Sequence, residues 1–314
     1  MKASIIRAFG GTDRFELADM PKPVPGPKQV LVRVAATSVN PVDYKIRQNG
    51  AWAGIPMPAI LGYDAAGVVE ATGSQTSRLK VGDEVFYSAR IFGRQGTYAE
   101  YHVEDEEIVA IKPASLSWEQ AAAIPLAGIT AYDSVISFFH TKPGDTVLIH
   151  AGAGGVGHFA VQLAKAAGAR VLATGRAANT DLIKSLGADE VIDYQNTDFA
   201  DEALRLTDGR GVDAAFDTVG GTTVSRSIKA VRAYGKLATV VSLEGPLGGM
   251  QPKNLTLYFG FMERTEAKIH AMATLVSRGQ LRPLIDSVFP LEQVAAAQTK
   301  LEAGGIKGKV VIRI

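Results

Sequence analysis

Three glycines at fixed spacing occur in His150-Ala151-Gly152-Ala153-Gly154-Gly155-Val156-Gly157. The apolar run Val147-Leu148-Ile149 precedes them, and Phe159, Leu163 and Ala166 follow at helical spacing over 156–167. A strand, a tight turn and a helix start in that order bring free backbone N–H groups and the positive end of a helix dipole to one place, which is chemistry for holding a pyrophosphate. Gly152, Gly154 and Gly157 form the Gly-x-Gly-x-x-Gly pattern, with Gly155 and Val156 completing the turn. The alternative is a turn with only a structural role, against which the flanking strand and helix match the dinucleotide-binding unit.

The next strand, Val171-Leu172-Ala173, runs into Thr174-Gly175-Arg176. An acidic side chain at this place would bind the ribose 2′-hydroxyl of NAD. Here Arg176 stands 19 residues after Gly157, and a guanidinium favours a 2′-phosphate through charge-assisted hydrogen bonds. The expected cofactor is therefore NADPH; the competing reading of Arg176 is a solvated surface side chain.

The 314 residues contain no cysteine, which removes disulfides, thiolate nucleophiles, iron–sulfur clusters and every cysteine-containing zinc site. The five histidines, His102, His140, His150, His158 and His270, show no paired ligand spacing. Lys+Arg 33 against Asp+Glu 32 gives a net charge of +1, so no overall field drives the chain onto nucleic acid or an anionic membrane. The start Met1-Lys2-Ala3-Ser4-Ile5-Ile6-Arg7 lacks the apolar stretch of a signal peptide, and no apolar segment is long enough to span a bilayer. A cytoplasmic protein with a small-molecule substrate, and neither nucleic-acid nor membrane partners, is expected.

The elements that must position these residues follow from the chain's rhythm. Its length and its 46% hydrophobic content predict two domains with real cores. The first third reads as β-rich, with runs such as Val30-Leu31-Val32-Arg33-Val34 punctuated by Pro and Gly. Ser117-Trp118-Glu119-Gln120 looks like a capped helix start. From about Asp145 strands alternate with helices: helices at 180–186, 199–206 and 224–231, strands at 191–192, 214–216 and 237–241. That order predicts an α/β fold, a parallel sheet with helices on both faces. Helices at 263–277 and 291–301 and a closing strand at 309–312 complete the reading.

Taken with Ala35-Ala36-Thr37-Ser38-Val39-Asn40-Pro41-Val42-Asp43, Leu61-Gly62-Tyr63-Asp64-Ala65-Ala66-Gly67-Val68-Val69 and Ala127-Gly128-Ile129-Thr130-Ala131-Tyr132, the sequence resembles the medium-chain dehydrogenase/reductase superfamily, and within it the zinc-independent quinone oxidoreductase branch. The resemblance runs from Met1 to the last strand. It implies a GroES-like substrate-binding domain from 1–120 and 265–314, a Rossmann domain from 121–264, and a cofactor in the cleft that separates them. Where zinc-bearing members place Cys, His and Cys, this chain has Asn40, Tyr63 and Leu126, so no metal is expected.

Without a Lewis acid, reduction of a quinone or an activated carbon–carbon double bond is the expected reaction, since it needs mainly a well-placed hydride donor. The charge that develops on the carbonyl oxygen calls for hydrogen-bond donors or a cation. Lys45, where many quinone oxidoreductases have Tyr and some enone reductases Lys, is the candidate cation. Asn40 is expected to orient substrate or the nicotinamide ribose, and Tyr63 to present a hydroxyl. Their alternatives are a solvated Lys45, a turn-forming Asn40 and a packed Tyr63. The resemblance places Thr130 beside the nicotinamide and Tyr194 near the adenosine phosphate. Val219, Val241, Ser242 and Leu243 follow the fourth and fifth strands, where ligand contacts are expected. Leu255-Thr256-Leu257 resembles an edge strand that pairs across a homodimer. Phe259 and Phe261 either face the cleft as substrate contacts or are core aromatics. The competing functions are an enoyl-thioester reductase and an NADPH-binding sensor with little turnover.

Overall fold

A computed structural model describes all residues, Met1–Ile314. The chain forms two compact units: Met1–Ile129 with Arg264–Gly279 and Pro283–Ile314, and Thr130–Glu263 with Gln280–Arg282.

The first unit begins with β1 (Lys2–Ile6), β2 (Phe15–Asp19), β3 (Gln29–Val39), α1 (Pro41–Asn49), β4 (Ala59–Ile60), β5 (Asp64–Thr72), β6 (Glu84–Ser88), β7 (Tyr101–Asp105), β8 (Ala110–Ile111) and α2 (Trp118–Ala122). The helix α3 (Pro125–Tyr132) follows. Eleven-residue β3 is the hub: it pairs antiparallel with β5 and with β7. Its neighbours leave little surface to solvent, which is why Val30, Leu31, Val32 and Val34 are all buried rather than alternating. Gly62 precedes β5 at φ +93°, and a Cβ there would lie 2.4 Å from the Tyr98 ring. Only glycine allows that close approach.

The sequence pattern does not announce α1. Its buried residues are Asp43, Ile46 and Arg47, so charged groups share the inward face with the short apolar pair Val42 and Ile46, and hydrophobic periodicity has little to detect. By contrast α2 carries the expected cap: the Ser117 Oγ accepts from Gln120 N–H at 3.2 Å, and the Gln120 side-chain oxygen accepts from Ser117 N–H at 3.0 Å.

The second unit holds β9 (Thr146–Ile149), α4 (Gly157–Ala166), β10 (Arg170–Gly175), α5 (Thr180–Ser185), β11 (Glu190–Asp193), α6 (Phe199–Leu206), β12 (Val212–Asp217), α7 (Thr223–Ala230), β13 (Val231–Thr239) and β14 (Thr256–Phe259). The six strands are parallel in the order β11-β10-β9-β12-β13-β14. Strand order reverses between β9 and β12, the switch point at which such sheets open a ligand crevice. Leu148, Leu172, Ile192, Ala215 and Leu237 on the strands pack against Phe199, Ala203, Val224 and Ile228 on the helices.

The chain then returns to the first unit through α8 (Glu266–Ser277), β15 (Ile285–Pro290), α9 (Val294–Ala303) and β16 (Lys309–Arg313). Strand β16 pairs antiparallel with β3, Val311 opposite Ser38, and β15 lies parallel outside it. Val310 and Ile312 join Val30, Val32, Tyr63, Tyr98, Leu291 and Val294 in one core, so the first unit is completed only by the last residues of the chain. No helix is long and apolar enough to cross a membrane.

Candidate active site

At the end of β9 the chain turns sharply. The N–H groups of Ala151 and Gly152 donate to the hydroxyl and the carbonyl of Thr174, at 3.0 and 2.9 Å, and Gly154 N–H donates to Ala151 O at 2.8 Å. Thr174 thus holds the turn against β10. A Cβ on Gly157 would lie 2.1 Å from Ala151 O, so only glycine lets the helix start this close to the strand end. The N–H groups of Ala153, Gly155 and Val156 have no partner in the chain, and with the α4 dipole they fit a phosphate. His150, directly before the turn, is buried between Ser227 Oγ (3.0 Å) and the Thr174 hydroxyl (3.4 Å). Burial pushes its imidazole down to about 4, against the opposing pull of Asp217, so it carries no charge at neutral pH.

Arg176 is exposed just beyond β10, and its Nε donates to the Tyr194 hydroxyl at 3.2 Å. Two residues expected at the adenosine end therefore meet across β10 and β11. The Asp217 carboxylate ends β12: one oxygen accepts from Val219 and Gly220 N–H at 2.8 and 3.0 Å, the other from Thr239 Oγ1 at 3.0 Å. Val219 is exposed, Val241 and Leu243 are half-buried, and Ser242 is exposed with its carbonyl accepting from Gly221 N–H at 3.0 Å. Thr130 is buried in α3. Phe259 and Phe261 are 61% and 58% exposed, so neither is a core aromatic of its unit.

In the first unit Asp64 is a fully buried hub. Its Oδ2 accepts from Ser38 Oγ at 2.6 Å and Asn40 Nδ2 at 2.7 Å, its Oδ1 accepts from Leu126 N–H at 2.7 Å, and Lys309 Nζ stands 3.8 Å away. Lys309, also buried, donates to Val39 O at 3.0 Å and to Asn40 Oδ1. A lysine can only donate, so the Asn40 amide is locked with oxygen toward Lys309 and nitrogen toward Asp64. Burial holds the Lys309 pKa down, and Asp64 and Asp43 oppose that shift. Asn40 is thereby a clasp among β3, β5 and β16.

Asn40 also caps α1, its N–H donating to Asp43 Oδ2 at 2.8 Å. That oxygen takes a second hydrogen bond from the Tyr98 hydroxyl at 2.7 Å, while Asp43 Oδ1 is buried without a partner. Burial pushes the Asp43 carboxyl up to about 7, outweighing the bonds from Tyr98 and Asn40. The Tyr63 hydroxyl is likewise buried without a partner, and desolvation raises its pKa. Lys45 is exposed on α1 and makes no ion pair.

The zinc-position residues do not fit zinc. They offer an amide already bound on both sides, a phenol and a leucine, where zinc takes thiolate, imidazole or carboxylate. No group of three or more His, Cys, Asp or Glu is placed to hold a metal ion. Sequence reasoning missed Asp43, Asp64, Asp217 and Lys309. Asp64 carried a signal, a carboxylate inside the apolar run Tyr63-Asp64-Ala65-Ala66; Lys309 carried none, because its partners are 269 and 270 residues away.

Residues 26–114 match the alcohol dehydrogenase GroES-like domain family, and residues 186–312 match a family described as zinc-binding dehydrogenase. The chain is 36% identical to a quinone oxidoreductase of Pseudomonas aeruginosa, over 97% of both chains. It is 34% identical to a 2-methylene-furan-3-one reductase of Solanum lycopersicum, over 99% of this chain and 79% of the relative. Among solved structures, an NAD-dependent alcohol dehydrogenase superposes with TM-score 0.95 at 36% identity, over the whole of both chains. A mycobacterial protein in complex with NADPH gives TM-score 0.90 at 30% identity, also over both whole chains. A GroES-like unit, a Rossmann sheet with a nicotinamide-dinucleotide cradle and these full-length similarities lead to one assignment: the chain belongs to the quinone oxidoreductase branch of the medium-chain dehydrogenase/reductase superfamily.

Proposed function

We propose that this protein is an NADPH-dependent reductase that delivers hydride, without a metal, to a quinone or to the activated double bond of an α,β-unsaturated carbonyl. The single observation that carries the reading is the exposed Arg176–Tyr194 pair at the adenosine end of an intact glycine turn, in a chain whose zinc-position residues are Asn40, Tyr63 and Leu126. The bound dinucleotide supplies the hydride. The unpartnered N–H groups after Ala151 hold its pyrophosphate, Arg176 and Tyr194 take the 2′-phosphate, and Thr130, Val219, Val241, Ser242 and Leu243 flank the nicotinamide half. The first unit binds substrate, with the Lys45 ammonium available to the carbonyl oxygen, and Phe259 and Phe261 of the second unit offer aromatic surface. The relatives named for quinone and enone reduction support both acceptor classes. β14 has a neighbour on one side only, and its open edge supports pairing with a second copy in a homodimer.

The test follows NADPH and NADH oxidation by the purified protein with quinones, enones and enoyl thioesters. Turnover of quinones or enones with NADPH preferred is the expected result. Preference for enoyl thioesters, or tight NADPH binding without turnover of any acceptor, overturns the reading.

A further inference from the structure

Arg264 starts the return of the chain into the first unit, and its position in the fold is unusual for an arginine. Its Nε donates to Ala89 O at 2.8 Å, its Nη2 is buried without a hydrogen-bond partner, and it forms no ion pair. The two carboxylates that act on it, Glu104 and Asp64, are already taken. Glu104 accepts from Arg94 Nη1 and from the N–H groups of Arg90 and Asp105 at 3.3, 2.8 and 2.9 Å. Asp64 accepts from Ser38, Asn40 and Leu126. A desolvated guanidinium with no anion is costly in a folded chain, and burial indeed lowers its pKa.

Tyr63, tied to it through Ala89, has the same property. Ala89, which holds Arg264 through its carbonyl, donates its own N–H to Tyr63 O at 2.9 Å. The Tyr63 hydroxyl is buried without a partner and lies within electrostatic reach of Arg264 and Asp43. Two unsatisfied donors, one of them cationic, therefore occur together in a low-dielectric setting, while Arg264 keeps part of its surface accessible. Such a set is complementary to an oxygen that gains negative charge.

We propose that Arg264 is a catalytic residue whose guanidinium, together with the Tyr63 hydroxyl, receives the oxyanion formed on the substrate: an enolate from an enone, or a hydroquinone anion from a quinone. The assignment rests on the reductase reading above. In the enone case one hydrogen arrives at the β carbon with two electrons. The carbon–carbon π pair shifts toward the carbonyl carbon, and the carbonyl π pair becomes a lone pair on oxygen. Arg264 meets that charge, and one proton from solvent at the α carbon completes the saturated ketone. Lys45, exposed and screened by water, has the weaker field of the two cations.

The experiment compares wild type, Arg264→Ala and Arg264→Lys on the best enone and quinone, with NADPH affinity from fluorescence titration. Arg264→Ala is expected to lower kcat by about 10²-fold, the loss typical of one oxyanion-stabilising donor, with NADPH affinity unchanged. Added guanidinium ion should restore turnover saturably, an effect that a merely structural arginine would not show. Arg264→Lys, which keeps the cation, should retain more activity than Arg264→Ala and decides the matter if the alanine variant does not fold. Wild-type kcat in Arg264→Ala overturns the assignment alone. So does a loss that guanidinium does not restore, or a folded Arg264→Lys as inactive as Arg264→Ala. A wild type that reduces no acceptor overturns the reductase reading and this assignment with it.

Discussion

The phosphate cradle of the second unit and the Asp64 hub of the first do opposite things with polar groups. The cradle is backbone: eight consecutive residues, braced by Thr174, leave N–H groups without partners so that a ligand can take them. The hub is a side chain: Asp64 draws Ser38 and Asn40 from the end of β3, Leu126 from α3 and Lys309 from β16, and satisfies itself completely. A ligand-binding surface needs unspent donors, whereas a buried clasp tolerates none. The two regions should therefore fail differently when altered.

The hub should give the largest effect. Asp64→Ala leaves Lys309 buried without its anion and orphans three donors, so urea denaturation should show a loss of about 3–5 kcal/mol. A loss below about 1 kcal/mol, the range of an exposed pair, would break the contrast.

Acid and base should divide the units next. His150 is held at about 4 in the folded chain against an ordinary 6.5, so the unfolded chain binds the extra proton between those values. Its stabilising contribution is lost as pH falls through that window. Asp43 is raised to about 7 from 3.8, so the folded chain holds the extra proton, and its contribution is lost as pH rises through that window. They are worth on the order of 3 kcal/mol for His150 and about 4 kcal/mol for Asp43, and they oppose. In its own denaturation profile Asp43→Asn, left with the His150 slope, should gain stability with rising pH between about 4 and 6.5, and His150→Asn, left with the Asp43 slope, should lose it as pH rises toward about 7. Identical slopes in the two variants would refute the assignment.

The cradle should respond in binding rather than stability. Gly157→Ala places a Cβ against Ala151 O and should weaken NADPH by about tenfold or more in fluorescence titration. Arg176→Ala should reduce NADPH affinity by about tenfold and leave NADH unchanged, since one charge-assisted contact is removed; equal losses would remove Arg176 from the 2′-phosphate role. Lys45→Ala, at an exposed position, should lower enone kcat severalfold without changing NADPH affinity. The reverse pattern would make Lys45 a cofactor contact.

What was readable in advance follows the same division. Gly152, Gly154, Gly157 and the strands and helices around them are contiguous, so spacing alone identifies the turn and the parallel order that it requires. Helix α1 was not readable, because Asp43 and Arg47 are its inward residues and an inward charge mimics a surface pattern. Lys309 was not readable either: nothing near it in the sequence says that β16 will lie beside β3 and bring its ammonium to Asn40. Asn40 shows the limit most clearly. Its residue type suits it to orient substrate or the nicotinamide ribose or to form a turn, and only the structure shows its amide between Lys309 and Asp64.

The sequence by itself determined the chemistry that could be attempted: no thiolate, no zinc-type donor trio, a glycine turn for a dinucleotide and an arginine where an acid would select NAD. These are matters of residue type and local spacing, which survive without coordinates. Only the tertiary structure decided which polar groups are already engaged and which remain free. Whether a donor is satisfied depends on partners far along the chain, and burial then sets what an unsatisfied group costs.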